Sequence, residues 1–164
     1  MAACGVAALS EHPTTRRVAD LLAAFGARGE VRELDASTRT ARDAAAALGC
    51  EVGAIASTLV FMADGSPLII LTSGAHRVDV GLVAAVLDVK ELRQATPDEV
   101  RTATGFAIGG VAPVGHPRPL RTLVDEDLHR YPVLWAAAGT GHSVFSTTFD
   151  ELVAMSGGEV AQVA

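Results

Sequence analysis

The chain has 164 residues, 49% of them apolar and 20% charged, with a formal net charge of −6, which suits a single globular domain and excludes a disordered, highly charged chain. The longest apolar runs, such as residues 67–71 and 133–138, fall far short of the roughly 20 residues that cross a bilayer, so no membrane span is expected. Lys90 is the only lysine among thirteen basic residues, and with no basic stripe or recognition-helix pattern DNA binding ranks last, leaving any RNA contact to be local.

The first nine residues are small and apolar but lack the positive flank and longer apolar stretch of a secretory signal, so the cytoplasm is the expected location. Cys4 and Cys50 make neither a disulfide framework nor a metal-spaced cluster, and both are expected to be free thiols. Thr14 or Thr15 caps a predicted helix running to about Arg28, with Val18, Leu21, Leu22 and Phe25 at helical spacing. Arg16 and Arg17 on it, like Arg118 and Arg121 later, read as solvated faces. A short strand is predicted at 31–34, followed by a helix at 40–48 that Ser37 or Thr38 opens and Gly49 stops.

Two β-branched runs, 55–62 and 67–72, flank Asp64-Gly65 and predict an antiparallel hairpin. Helices follow at 78–87 and 97–104, the second capped by Thr96 with Pro97 in its first turn, and a short strand lies between them at 90–93. Residues 105–119 are rich in glycine and proline without period, which predicts an ordered loop over the sheet. The last third supplies strands at 122–124, 133–137 and 142–146, a helix at 148–155 and a final strand at 159–163. Strands outnumber the helices that could cross between them, so the expected fold is α+β: one domain over residues 1–164, a mixed, mainly antiparallel sheet with surrounding helices.

No phosphate-binding GxxxxGK[ST], GxSxG, HExxH or paired CxxC is present. Two segments stand out: GFAIGGVAPVGH at 105–116, whose close glycines let backbone N–H groups approach a ligand, and AGTGH at 138–142, a turn between predicted strands. Taken alone, such a loop serves equally as a structural corner. His12, His76, His116, His129 and His142 read singly as structural histidines, and Ser57 and Thr58 as ordinary strand residues.

The order IASTLVF (55–61), LTSGAHRVD (71–79), ATPDEV (95–100), GFAIGGVAPVG (105–115) and AGTGH (138–142) resembles the YbaK-like, prolyl-tRNA-editing family of aminoacyl-tRNA deacylases, over roughly residues 31–163. The resemblance implies the editing-domain fold and hydrolysis of the ester joining a wrong amino acid to the 3′ adenosine of a tRNA, expected to be a proline tRNA, with an aminoacyl-tRNA synthetase as a further partner. No metal or organic cofactor is implied. It also implies that the loop of Gly109, Gly110, Val111, Ala112 and Pro113 holds the terminal ribose and carbonyl with backbone groups, and that His142 joins it in catalysis. Such donors stabilise charge developing on the ester oxygen, and the water is positioned by the loop and the substrate's own 2′-hydroxyl. Substrate binding falls to Ser57, Thr58, Ser73, Gly74, His76, Gly139, Thr140 and Gly141.

One departure matters. Many members carry a lysine where this chain has Ser57, and serine keeps a hydroxyl but loses the cation that could hold a phosphate or an amino-acid carbonyl. Relatives with asparagine there indicate that a polar neutral group can serve. The alternative expectation is a non-catalytic module that binds an aminoacyl-nucleotide or tRNA.

Overall fold

The computed structural model describes residues 12–35 and 40–164; Cys4 and the expected caps Ser37 and Thr38 lie outside them. Helix α1 (Pro13–Phe25) has Pro13 in its first turn and ends at Gly26, two residues before the expected Arg28. Thr14 and Thr15 lie within it rather than capping it, and the Thr15 hydroxyl, fully buried, meets Ser143 Oγ at 3.2 Å. Strand β1 (Val31–Glu33) leads to α2 (Ala41–Leu48), whose cap is Thr40: its Oγ1 accepts from the Asp43 N–H at 3.1 Å. A 3₁₀ turn (Val52–Ala54) then delivers the chain to the hairpin of β2 (Ala56–Ala63) and β3 (Ser66–Ser73). Asp64 and Gly65, both at positive φ (48° and 82°), make the two-residue turn that the right-handed strand twist favours.

Helix α3 (Val80–Leu87) is capped by Asp79 through the Leu82 N–H. After β4 (Leu92–Gln94), α4 (Pro97–Thr104) opens on a full capping box, Thr96 and Glu99 each accepting from the other's backbone N–H. The long loop follows, then β5 (Arg121–Asp125), a 3₁₀ segment (Glu126–Arg130) where only connection was expected, β6 (Leu134–Ala137), β7 (Ser143–Thr147), α5 (Phe149–Ser156) capped by Thr148, and β8 (Glu159–Ala161).

The strands form two sheets where one was expected. The larger has the order β4-β2-β3-β5-β8, antiparallel through β4, β2 and β3 and parallel from β3 to β8; the smaller, β1-β7-β6, is antiparallel throughout. A single parallel bridge, Ile55 to Trp135, ties them together. β3 lies between β2 and β5, and its residues Leu68, Ile69, Ile70 and Leu71 are buried on both faces, which is why they form an unbroken apolar run. Alternation sends Leu68 and Ile70 to one core with Phe61, Val83 and Leu87, and Ile69 and Leu71 to a larger core with Val18, Val111, Ala136, Phe145 and Leu152.

Two expectations follow. Phe145 is fully buried where the smaller sheet meets the larger core, so Phe145→Ala should destabilise the fold by about 3–5 kcal/mol, read as a lower urea midpoint with an unchanged slope. Arg93 grips Glu99 with both guanidinium ends, at 2.8 and 2.9 Å, and together with the Thr96 N–H holds its carboxyl down to about 2. Because Glu99 binds a proton less readily folded than unfolded, its support of α4 is present above the ordinary carboxylate range and lost as pH falls toward 2. In Arg93→Met, the carboxyl resonance of Glu99 should titrate at a higher pH than in the unaltered protein.

Candidate active site

The pairing of β2 creates the site. β4 joins β2 antiparallel at Phe61, Met62 and Ala63, and the Ala95 N–H extends the ladder by donating to the Val60 carbonyl at 3.0 Å. Before Val60 the chain from β4 has turned away into α4, and among the described residues its place is taken only at the parallel bridge from Ile55 to Trp135. In an antiparallel ladder alternate residues direct both backbone groups to the same neighbour. Val60 bonds toward β4, and the Gly74 N–H donates to Ile55 on the β3 side, so the N–H and C=O of Thr58 point to the open edge.

A cavity of about 370 Å³ lies along that edge, within the usual range of small-ligand sites. Ser57 and Thr58, on opposite faces of β2, both line it because it wraps around the edge. Ile55, Val60, Val100, Val111, Ala136 and Val144 make its apolar walls; Thr40, Gln94, Ile108, Gly109 and Trp135 also border it. Its lining among the described residues contains no acid, lysine, arginine, histidine or cysteine. The one buried side-chain polar atom without a partner among the described residues is Thr58 Oγ1.

The glycine-rich loop enters the cavity as a β-turn. The Gly110 N–H donates to the Ala107 carbonyl at 3.0 Å, and Gly109, at φ 91°, takes the turn position that disfavours a side chain. Gly110 then sits directly on the 138–142 turn: a Cβ there would lie 2.7 Å from Thr140 Cα, so only glycine allows the two backbones to meet. Gly110, Val111, Ala112 and Pro113 are buried. With the Gly110 N–H used in its own turn, the loop residues bordering the cavity whose N–H groups bond no other backbone group are Ile108, Gly109 and Val111.

The turn beneath is fixed by a hydroxyl relay. Thr140 Oγ1 meets Ser143 Oγ at 2.8 Å, Ser143 reaches Thr15 of α1, and the His142 N–H donates to Thr140 Oγ1 at 3.2 Å. From the other side, His116 Nε2–H donates to the Ala112 carbonyl at 2.9 Å, and Arg17 donates to the Gly115 carbonyl at 2.9 Å while lying over the Phe106 ring. Burial, with the Arg17 charge nearby, holds the His116 pKa below its ordinary value. Arg17, expected as a solvated face, is exposed yet pins the loop.

The residues singled out from the sequence therefore divide. Ser57, Thr58, Gly109 and Val111 border one cavity, with Gly110, Ala112 and Pro113 behind them and Gly139, Thr140 and Gly141 in the supporting turn. The His142 side chain is exposed and outside the lining; its backbone does the anchoring, its carbonyl also accepting from the Leu34 N–H at 2.7 Å. Ser73 and Gly74 pack beneath the start of β2 and α2: Ser73 Oγ donates to the Gly53 carbonyl at 2.8 Å, and a Cβ on Gly74 would lie 2.4 Å from the Val52 carbonyl oxygen. His76 lies elsewhere, its ring nitrogens 2.9 Å from Asp125 and 2.8 Å from Asp127. Sequence reasoning did not select Gln94, Ile108 or Trp135. Ile108, 60% exposed between a phenylalanine turn and two glycines, and the lone tryptophan carried the available signals.

Residues 35–155 match the model of the aminoacyl-tRNA editing domain family. A solved structure described as that of a "putative trans-editing enzyme for prolyl tRNA synthetase" superposes with a TM-score of 0.87 at 48% identity, covering 93% of this chain and 97% of that one. The proline–tRNA ligase of Solidesulfovibrio magneticus is 38% identical over 82 residues, 49% of this chain and only 14% of the ligase. The "Putative Cys-tRNA(Pro)/Cys-tRNA(Cys) deacylase EbsC" of Enterococcus faecalis is 22% identical over 125 residues, 76% of each chain. The fold and these similarities agree: the chain belongs to the aminoacyl-tRNA editing domain family and is an aminoacyl-tRNA deacylase.

Proposed function

We propose that the protein is a free-standing trans-editing enzyme of the cytoplasm that removes a noncognate amino acid from proline tRNA. The observation that carries this reading is a ligand-sized cavity bordered by the loop backbone at Ile108, Gly109 and Val111, with no titratable side chain in its described lining. Such a site suits an activated ester, whose hydrolysis needs charge stabilisation and exclusion of the wrong substrate more than a strong protein base. Water adds to the ester carbonyl, the bond from that carbon to the ribose 3′-oxygen breaks, and the leaving oxygen takes up a proton. Gly109 and Val111 would offer N–H groups to the carbonyl oxygen as it gains charge. The open edge at Thr58 would present a carbonyl to the α-amino group. Ser57, Gly110, Ala112 and Pro113 would shape the mouth, and Gly139, Thr140, Gly141 and the His142 backbone would hold the loop in place.

The similarity to structures and proteins described in connection with prolyl-tRNA synthetase and Cys-tRNA(Pro) supports the choice of tRNA. Ser57, neutral where many relatives have lysine, favours the second reading, a binding module without catalysis. Purified protein should release one or more of alanine, cysteine, serine and threonine from proline tRNA and spare proline; release of none would favour the binding module.

Gly110→Ala keeps an allowed backbone but pushes the loop off Thr140 by a methyl group. It should lower kcat/KM about 100-fold, the scale of a misplacement near 1 Å, with circular dichroism unchanged; full activity would remove the loop from the mechanism. His142→Ala tests the ring alone. Activity within about 3-fold of the unaltered protein, as expected for an exposed side chain, assigns His142 an anchoring role, whereas a loss comparable to Gly110→Ala would assign the imidazole to the chemistry.

A further inference from the structure

We propose that Thr58 reads the side chain of the amino acid to be removed, so that the cavity prefers hydroxyl-bearing acyl groups, seryl and threonyl, over alanyl and prolyl ones. This rests on the deacylase reading of the cavity and adds its substrate class. Thr58 Oγ1 is shut off from solvent and has no hydrogen-bond partner among the described residues. Its neighbours along the same face of β2 are Ala56 and Val60, and the walls around that face are Val100, Val111 and Ala136. None offers a side-chain donor or acceptor. Because Oγ1 holds no bond, rotation about χ1 can turn it toward an occupant without breaking one.

An unsatisfied buried hydroxyl is a standing penalty that only a polar occupant relieves. The ordinary place for threonine on such a face is filled elsewhere in this core by valine or alanine, which share its size without the penalty. Proline carries no polar group beyond its ring nitrogen and alanine none on its side chain. Both would leave Oγ1 unpaired, whereas a serine or threonine hydroxyl can donate to it or accept from it. Cysteine, a weak donor and acceptor, should fall between. Sites built to pair a substrate hydroxyl reject analogues lacking it far better than an apolar pocket rejects a methylene. The neutral residue at Ser57 fits the same logic, since a hydroxyl-bearing acyl group needs no cation to be distinguished.

The test compares kcat/KM of the unaltered protein, Thr58→Val and Thr58→Ser on proline tRNA carrying serine, alanine, threonine or valine, two pairs matched in size. The unaltered protein should favour serine over alanine and threonine over valine by about 10- to 100-fold. Thr58→Val should bring both ratios near 1, and Thr58→Ser should keep them. Equal losses on all four esters in Thr58→Val would show that the residue contacts a group common to every substrate and would overturn the proposal. So would the absence of any preference in the unaltered protein.

If no ester is cleaved, the deacylase reading fails separately. The selectivity is then read from binding of non-hydrolysable 3′-amide analogues of seryl- and alanyl-adenosine, where a preference for the seryl form that Thr58→Val abolishes supports the role and equal affinities refute it.

Discussion

A strand that loses its neighbour halfway along must leave its backbone groups facing something else, because an unpaired N–H or carbonyl away from water is as costly as a broken hydrogen bond. That constraint organises this molecule. β2 is paired along its whole length with β3, but with β4 only near its end. α4 begins at once after β4, with Thr96 and Glu99 locking its first turn and Arg93 holding Glu99, so the chain is carried away from the edge abruptly. The smaller sheet is hydrogen-bonded to the chain entering β2 by the single Ile55–Trp135 bridge. Between these two attachments the edge stays open, and the cavity is the space the two sheets fail to close.

The loop that covers this space is held from below and above by contacts that leave little freedom. Gly110 rests on Thr140 with no atom to spare, the hydroxyls of Thr15, Ser143 and Thr140 tie the supporting turn to α1, and His116 and Arg17 fix the far end. A site whose donors are backbone groups depends on such fixing more than one whose groups are flexible side chains, because a main-chain N–H cannot be re-aimed by a rotamer change. The absence of titratable groups from the described lining and the density of contacts around the loop are two aspects of the same design.

Local chemistry was readable where it is decided locally. Asp64-Gly65, the capping residue Thr96 and the unbroken run of β3 each announce their structure within a few residues. The glycine loop was readable for a similar reason, since a backbone that must approach another backbone has to dispense with Cβ. The division into two sheets was not, because whether β6 and β7 join β3 or β1 depends on partners far away in the chain. The fates of His76 and His142 were likewise set at a distance: Asp125 and Asp127 take the ring of the first, and the turn onto Leu34 directs the second outward. Trp135 and Gln94 reach the cavity only because the sheets diverge there, which no pattern within β6 or β4 encodes.

Arg17 belongs to α1, and α1 and β1 precede the residues that match the family model, which begin at 35. Yet Val18 and Leu22 lie in the main core, β1 closes one side of the smaller sheet, and Arg17 pins the loop at Gly115. The stretch that the family model matches is thus smaller than the unit that folds. A fragment cut to that stretch would expose one flank of Phe145, release the end of the loop and leave the Ser143 hydroxyl without Thr15, so grafting this activity into another protein requires carrying the first helix along.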